Sequence, residues 1–223
     1  PLGTTPSCLV GDSNHTLYLG FSNSNSVYKK VFTGNWTMLG SISGVATRSM
    51  CVWNDTLYVG SDGEIYVWDT LNSQFSLLLD IPVSSITALV EYAGQLFIGT
   101  TSPGYVYRYD GLTLQYETSF SSNVTLFYVY AGSLYAGVGG KLYKKESLLS
   151  SWEEVKIFSG TISSITVFNG YLYVAAGSKV YRLQDDGTWS EEYSSQSNSP
   201  IYIIATSYCL LLGQQTTIST WVS

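Results

Sequence analysis

Several groups of residues in this 223-residue chain have types and spacings that could do chemistry. Tyr135 to Leu142 reads YAGVGGKL, three glycines and a lysine behind an apolar run, which is the composition of a loop that cradles phosphate on backbone amides. Such a loop needs a glycine five residues ahead of the Gly-Lys pair, a hydroxyl residue behind the lysine and then a helix. Tyr135 and Leu142 fill the first two places here, and a strand-like run follows, so nucleotide binding is not expected. Carboxylate pairs stand at Glu153-Glu154, Asp185-Asp186 and Glu191-Glu192. Glycoside hydrolysis would need two such groups roughly 5 to 10 Å apart across the scissile bond. The three cysteines, Cys8, Cys51 and Cys209, are too widely spaced for a metal-type cluster. The single histidine, His15, lies in the polar run GDSNHT and has no second imidazole with which to share a zinc.

What would position these groups is decided by a repeat. A motif of the pattern Leu-Tyr-X-Gly returns six times, intact at Leu17–Gly20, Leu57–Gly60 and Leu134–Gly137 and with one residue changed at Leu96–Gly99, Leu172–Ala175 and Leu210–Gly213, with starts 40, 39, 38, 38 and 38 residues apart. A second marker follows it at short distance: Val27-Tyr28, Ile65-Tyr66, Val106-Tyr107, Leu142-Tyr143, Val180-Tyr181 and a degenerate Ile218-Ser219. Within a unit, an apolar run such as Ile86 to Tyr92 turns at Ala93-Gly94 into the first marker, which is hairpin chemistry. A polar loop, the second marker and a strand opened by Trp36, Phe75, Tyr116, Trp152 or Trp189 complete it. No segment carries a helical apolar stripe of useful length. Four short strands in about 38 to 40 residues make a β-propeller blade. The fold class expected is therefore all-β, a six-bladed β-propeller over 1–223 as a single domain, with blades near 7–42, 43–82, 83–120, 121–159, 160–197 and 198–223. The sixth blade has runs for three strands, the third at Ile218 to Val222, and lacks its outer one, leaving an open edge.

In this frame the glycines of YAGVGGKL become the turn between second and third strands of blade four, equivalent to Ser61-Asp62-Gly63 and Ala176-Gly177-Ser178. The carboxylate pairs fall in outer-strand regions and read as a solvated rim. The positions opening each innermost strand, Thr47-Arg48, Ser84-Ser85, Asn123, Ser163-Ser164 and Asn198-Ser199, hold no carboxylate, and Asn123 and Asn198 alone are too few oxygens for calcium. No catalytic residue, no metal site and no cofactor are expected.

The repeat LYVG, VYRYDG and aromatic opener resembles the blades of extracellular β-propellers in the broad YVTN, NHL and kelch-like group, over nearly the whole chain. The kelch Gly-Gly pair is not regular here, and Trp68-Asp69 is a single occurrence of the dipeptide that ends WD40 units, so the resemblance implies architecture without selecting a family. Asp185-Asp186-Gly187-Thr188-Trp189 is similar to the Asp-box of sialidases, but it is one residue short between Gly and Thr and occurs once. It reads as a hairpin turn leading into an outer-strand Trp. Six-bladed propellers include sialidases and lactonases, so function has to be argued from a site.

Sequons stand at Asn14, Asn35, Asn54 and Asn123. Asn14 and Asn54 fall in turns between first and second strands and Asn35 between third and fourth, which places these three on one propeller face. The opposite face, made by blade-to-blade loops and second-to-third turns, holds Phe21, Arg48, Asp62, Glu64, Tyr105, Phe120 and Phe158 among small polar residues. Aromatic rings among such residues suit sugar or peptide contact, or else they cap the blades. Cys8 and Cys51 fall at similar levels of neighbouring innermost strands. A disulfide there, or three buried thiols acting as small hydrophobes, fits that placement.

Net charge is −6, only 12% of residues are charged, and no Lys or Arg run exceeds two, so there is no footprint for nucleic acid. No apolar run approaches the roughly 20 residues of a membrane helix. The leading expectation is a non-enzymatic, secreted or surface-displayed binding or adhesion module, lectin-like in its loop face, that engages a protein or glycan on a surface. The alternatives are a structural subunit of a surface filament or virion, assembled by strand exchange with a neighbouring chain at blade six, and a glycan-active hydrolase.

Overall fold

The computed structural model describes residues 5–101, 103–196, 200–214 and 217–221, the last stretch for its backbone. Asn198 and Ser199, expected to open an innermost strand, and Val222 lie outside the described residues. The chain divides into two compact units, Pro1–Val124 and Thr125–Ser223, each carrying three antiparallel sheets.

In the first unit the sheets are β1 Pro6–Gly11, β2 Thr16–Phe21, β3 Ser24–Val31 and β4 Thr37–Ser41, then β5 Ser49–Trp53, β6 Thr56–Gly60, β7 Glu64–Asp69 and β8 Gln74–Asp80. The third holds β9 Ile86–Tyr92, β10 Gln95–Thr100, β11 Gly104–Tyr109 and β12 Leu114–Phe120. The second unit has β13 Val124–Tyr130, β14 Ser133–Val138, β15 Lys141–Lys145 and β16 Glu153–Ile157, then β17 Ile162–Phe168, β18 Tyr171–Ala176, β19 Lys179–Leu183 and β20 Trp189–Ser194. Its last sheet is β21 Tyr202–Ala205, β22 Leu210–Gln214 and β23 Thr217–Trp221, and among the described residues β23 pairs with β22 alone. Every strand pairs with its sequence neighbour, so each sheet is a meander. Among the described residues there is no helix.

Burial explains the recurring motif. The second strand of a sheet is covered on both faces, as β14 is at every position, so it reads as an unbroken apolar run where the outer strands alternate. Apolar clusters fill the spaces between neighbouring sheets of one unit: Val27, Ile42, Met50, Leu57, Val59 and Tyr66 between the first two, and Tyr135, Leu142, Ile162, Leu172 and Val174 between the fourth and fifth.

Two further devices join successive sheets. Within each unit, a hydroxyl near the start of one first strand donates to a backbone carbonyl at the start of the next: Ser7 to Thr47 O at 2.7 Å and Ser49 to Ile86 O at 3.1 Å in the first unit. Thr125 to Ile162 O at 3.1 Å and Ser163 to Ile201 O continue the series in the second. These hydroxyls are structural staples. Thr125 also reaches Gly137 O at 3.1 Å. The isosteric change Thr125→Val is expected to destabilise by about 1 to 2 kcal/mol, since two carbonyls lose a donor. A urea midpoint equal to that of the parent would show that the staple contributes nothing.

The second device is a two-point backbone clamp between the second-to-third turn and the connection to the next sheet, seen at the second, fourth and fifth sheets. Gly140 O accepts from Phe158 N at 2.8 Å and Gly139 O from Ile162 N at 2.7 Å. Gly63 O and Ser61 O hold Ile81 N and Ile86 N, both at 2.8 Å, and Ser178 O and Gly177 O hold Ser195 N at 2.8 Å and Ile201 N at 3.0 Å. The glycine-rich stretch thus spends its polar backbone on a neighbouring loop, as a turn and not as a phosphate cradle.

Candidate binding surfaces

The clamped turns build one end of each sheet, the loop end, and the sequence-predicted face maps onto it unevenly. Arg48, just ahead of β5, and Asp62, in the β6–β7 turn, form an ion pair at 3.1 Å, with side chains 40% and 32% exposed. Glu64, the first residue of β7, accepts the Tyr66 hydroxyl. Burial, then that hydrogen bond and the Glu64 charge, push the Tyr66 phenol up to about 12. Beneath this trio the Ser61 hydroxyl ties back to Ala46 O at 2.7 Å, so Arg48, Asp62 and Glu64 sit on a braced loop.

Tyr105 belongs to a second patch. Its ring meets Tyr107 and Tyr116 edge-on at 6.1 Å each, and these meet one another at 5.9 Å. Tyr116 is 58% exposed, which makes the three rings a partly open aromatic surface on β11 and β12. Phe120 ends β12 half-buried.

Phe21 and Phe158 correct the expectation. Phe21 is 1% exposed and packs edge-on against Tyr28 at 5.6 Å; Phe158 is 6% exposed and lies between Tyr181 at 4.7 Å and Trp189 at 5.4 Å. Neither ring can be touched by a ligand, because each has been drawn into the packing between sheets. The recurrence that marks such anchors is legible after the fact: Ile42, Ile81, Phe120 and Phe158 are spaced 39, 39 and 38 residues apart.

The outer-strand carboxylates, expected to form a solvated rim, are mostly engaged with local partners. Glu154 pairs with Lys141 at 2.7 Å and accepts Tyr143 at 3.1 Å, Glu191 pairs with Lys179 at 2.6 Å and Glu192 with Arg182 at 3.2 Å. Asp186 accepts Thr188 N at 2.9 Å and its hydroxyl at 2.6 Å, and these hydrogen bonds hold its carboxyl below the usual range. That is the hairpin turn ahead of Trp189. His15 stands exposed in the β1–β2 turn, its ring 6.3 Å from Phe32.

Cys8, Cys51 and Cys209 are free thiols, so the Cys8–Cys51 disulfide is not formed and the reading as small hydrophobes holds for buried Cys51. Burial pushes the Cys51 thiol up to about 11 and also raises Cys8. Ellman's reagent at mildly alkaline pH is expected to leave Cys51 unmodified until denaturant is added. Labelling of Cys51 at the rate of an unfolded peptide, or an intact mass matching a disulfide, would contradict this.

Asn14, Asn35, Asn54 and Asn123 are all exposed. Asn14 and Asn54 lie in the β1–β2 and β5–β6 turns and Asn35 between β3 and β4, at the turn end of the first unit; Asn123 precedes β13 at the loop end. Sequence reasoning missed a cleft at that turn end. It has a volume of about 490 Å³, and Asp12, Ser13, Trp53, Asn54, Asp55 and Glu91 from the first three sheets line it. A signal existed in the chain: the first-to-second turns read GDSNHT, WNDT and EYAG, polar or acidic at equivalent places.

Among the described residues no helix is long and apolar enough to cross a membrane. No family model matches the chain, and no curated protein matches it. Solved structures do. A catalytically inactive variant of virginiamycin B lyase from Staphylococcus aureus, solved with quinupristin, is similar at 13% identity and a TM-score of 0.81, covering 98% of this chain and 84% of that one. The extracellular domain of a putative one component system from B. thetaiotaomicron gives 13% identity and a TM-score of 0.76 over 96% of this chain, which spans 35% of that one. A chain of the nidogen/laminin complex gives 11% identity and a TM-score of 0.71, covering 86% of this chain and 80% of that one. Likeness at such identity shows the fold, and that fold is an all-β, six-bladed β-propeller.

Proposed function

We propose that this chain is a non-catalytic binding module displayed outside a cell or on a virion, which engages a partner protein with the loop end of its sheets. The observation that carries the reading is the two-point clamp: because the β6–β7 turn is hydrogen-bonded at two points to the connection that follows β8, Asp62 and Glu64, with Arg48 ion-paired to Asp62, are presented on a loop that binding does not have to order. The partly open tyrosines Tyr105, Tyr107 and Tyr116 add amphipathic contact area at low entropic cost. Neighbours of this fold that are extracellular or part of a protein complex support the same class. The lyase neighbour lends no site, since His15 stands alone in an exposed turn with its ring against Phe32. Exposure of Asn14, Asn35 and Asn54 at the turn end fits a glycan coat there that leaves the loop end free.

A protein and glycan array probed with the parent chain and with Arg48→Ala tests this. Binding to protein features that Arg48→Ala weakens supports it; binding to glycan features alone moves it to a lectin, and a blank array removes it.

A second reading rests on the last sheet, where among the described residues β23 has one partner while each of the other five sheets has four strands. The free edge of β23 fits strand addition by a neighbouring chain, as in a filament or capsid subunit. Light scattering after size exclusion separates the two readings, because strand donation predicts assembly that rises with concentration.

A further inference from the structure

We propose that a cleft between the fourth and fifth sheets, inside the second unit, is a site for a small zwitterion, an α-amino acid with an apolar side chain. The cleft has a volume of about 360 Å³. Its floor is one cross-strand row, in which Tyr135 of β14 stands opposite Lys144 of β15 and Lys144 opposite Glu153 of β16, so the three side chains leave the fourth sheet on one face. That face is turned to the fifth sheet, because Tyr135 belongs to the apolar cluster packed between the two. Val155 packs on the same cluster, as do Leu183 and Trp189, which pair across β19 and β20, and these three supply an apolar wall.

The polar groups of this row are left over by the fold. Opposite charges on directly opposed strand positions ordinarily pair, yet Lys144 turns its Nζ to Glu146 Oε1 at 2.7 Å, on a side chain that is 68% exposed. Among the described residues Glu153 makes no hydrogen bond or ion pair, and two N–H groups of Lys144 have no acceptor. Tyr135 is the independent sign of an occupant. It is 6% exposed, and its hydroxyl makes no hydrogen bond among the described residues. That oxygen is not one of the polar atoms sealed from solvent, so the small open part of Tyr135 includes it, and the opening is the cleft that Tyr135 lines. Burial raises the phenol and the Lys144 charge works against that rise, so the hydroxyl lies within the field of Lys144 and stays a donor at neutral pH. A hydroxyl beside an ammonium suits a carboxylate, and the free Glu153 carboxylate one strand further out, about 5 Å away, suits an ammonium. An α-amino acid carries both groups on one carbon, and its side chain then falls against Val155, Leu183 and Trp189. A plain amine would leave Tyr135 and Lys144 unused, and the middle of a peptide offers neither charge. The cleft shares no residue with the loop-end surface of the first unit, so either can fail without the other.

The test titrates L-phenylalanine into the chain while following the amide signals of β14, β15, β16 and the β19–β20 turn. Saturable shifts confined to those segments are expected. Hydrocinnamate, which lacks the ammonium, and phenethylamine, which lacks the carboxylate, should each bind about tenfold more weakly, the loss of one charged hydrogen bond. Glu153→Gln should weaken L-phenylalanine about tenfold and leave hydrocinnamate unchanged, and Lys144→Gln should do the same while leaving phenethylamine unchanged. Tyr135→Phe, which keeps the ring and removes the hydroxyl, should weaken L-phenylalanine several-fold, and Arg48→Ala should have no effect. The two analogues act on the parent chain, so they decide the matter even where a variant fails to fold. Absence of saturation, or an analogue that binds as tightly as L-phenylalanine, would overturn the proposal, as would folded Glu153→Gln and Lys144→Gln chains that bind it with the parent's affinity.

Discussion

Gly60→Ala is expected to destabilise the first unit by roughly 3 kcal/mol, enough to lower its melting temperature by about 10 °C. A methyl group on Gly60 would lie 2.6 Å from Ile86 Cγ2 and from Ser49 Oγ, and 2.9 Å from Ile86 Cβ. None of these can withdraw. Ile86 is fully buried in the cluster between the second and third sheets, and Ser49 Oγ is the staple that donates to Ile86 O at 3.1 Å. Relief of the overlap therefore means parting the two first strands, which sacrifices packing and a buried hydrogen bond together. The same place in other sheets sets the scale. At Gly137 the new methyl would meet Thr125 Oγ1 at 3.0 Å and Ile162 Cγ2 at 3.2 Å, a crowding that small shifts absorb, so Gly137→Ala should cost under about 1 kcal/mol. At Ala175 the chain already carries the methyl, fully buried. Parallel urea titrations of Gly60→Ala, Gly137→Ala and Ala175→Gly read the order directly, and equal midpoints for the first two would refute the close-approach account of the motif.

That account explains why the fold was legible. The terminal glycine of the recurring motif marks the point where the next sheet's first strand comes closest, and the apolar residues ahead of it mark a strand covered on both faces. One or both of these constraints recur along the chain, so they leave a period of 38 to 40 residues that survives divergence at other positions. The turn identity of YAGVGGKL was legible for the same reason. The face was legible in part. Arg48, Asp62 and Glu64 lie at the loop end because turn position alone fixes which end of a sheet a residue occupies. Whether a ring in a connection points outward depends on the depth of the loop, and Phe21 and Phe158 were misjudged on that point. The turn-end cleft was illegible one turn at a time, since each of its carboxylates looks like an ordinary turn residue until three turns are brought together.

Phe158→Ala is the second change with a large expected effect, and it separates the two meanings an aromatic residue in a loop can have. The ring sits just past β16 and fills a space walled by Tyr181 of β19 and Trp189 of β20, so it joins the fourth sheet of the chain to the outer strands of the fifth. Removing it leaves a cavity that its neighbours cannot close, because Phe158 N is itself held by Gly140 O at 2.8 Å and Ile162 N by Gly139 O at 2.7 Å. The expected cost is about 3 to 5 kcal/mol, the range for a buried phenylalanine. Tyr105→Ala, by contrast, removes a partly open ring on β11 and should shift the urea midpoint little while weakening any partner that the array identifies at the loop end. If Phe158→Ala unfolds at the parent's midpoint and loses the partner, the ring is a ligand contact after all and the buried anchor is wrong. If it unfolds early and the fraction that remains folded binds with the parent's affinity, Phe158, like Ile42 and Ile81, is a buried anchor that nails a connection to the sheet following it in the same unit.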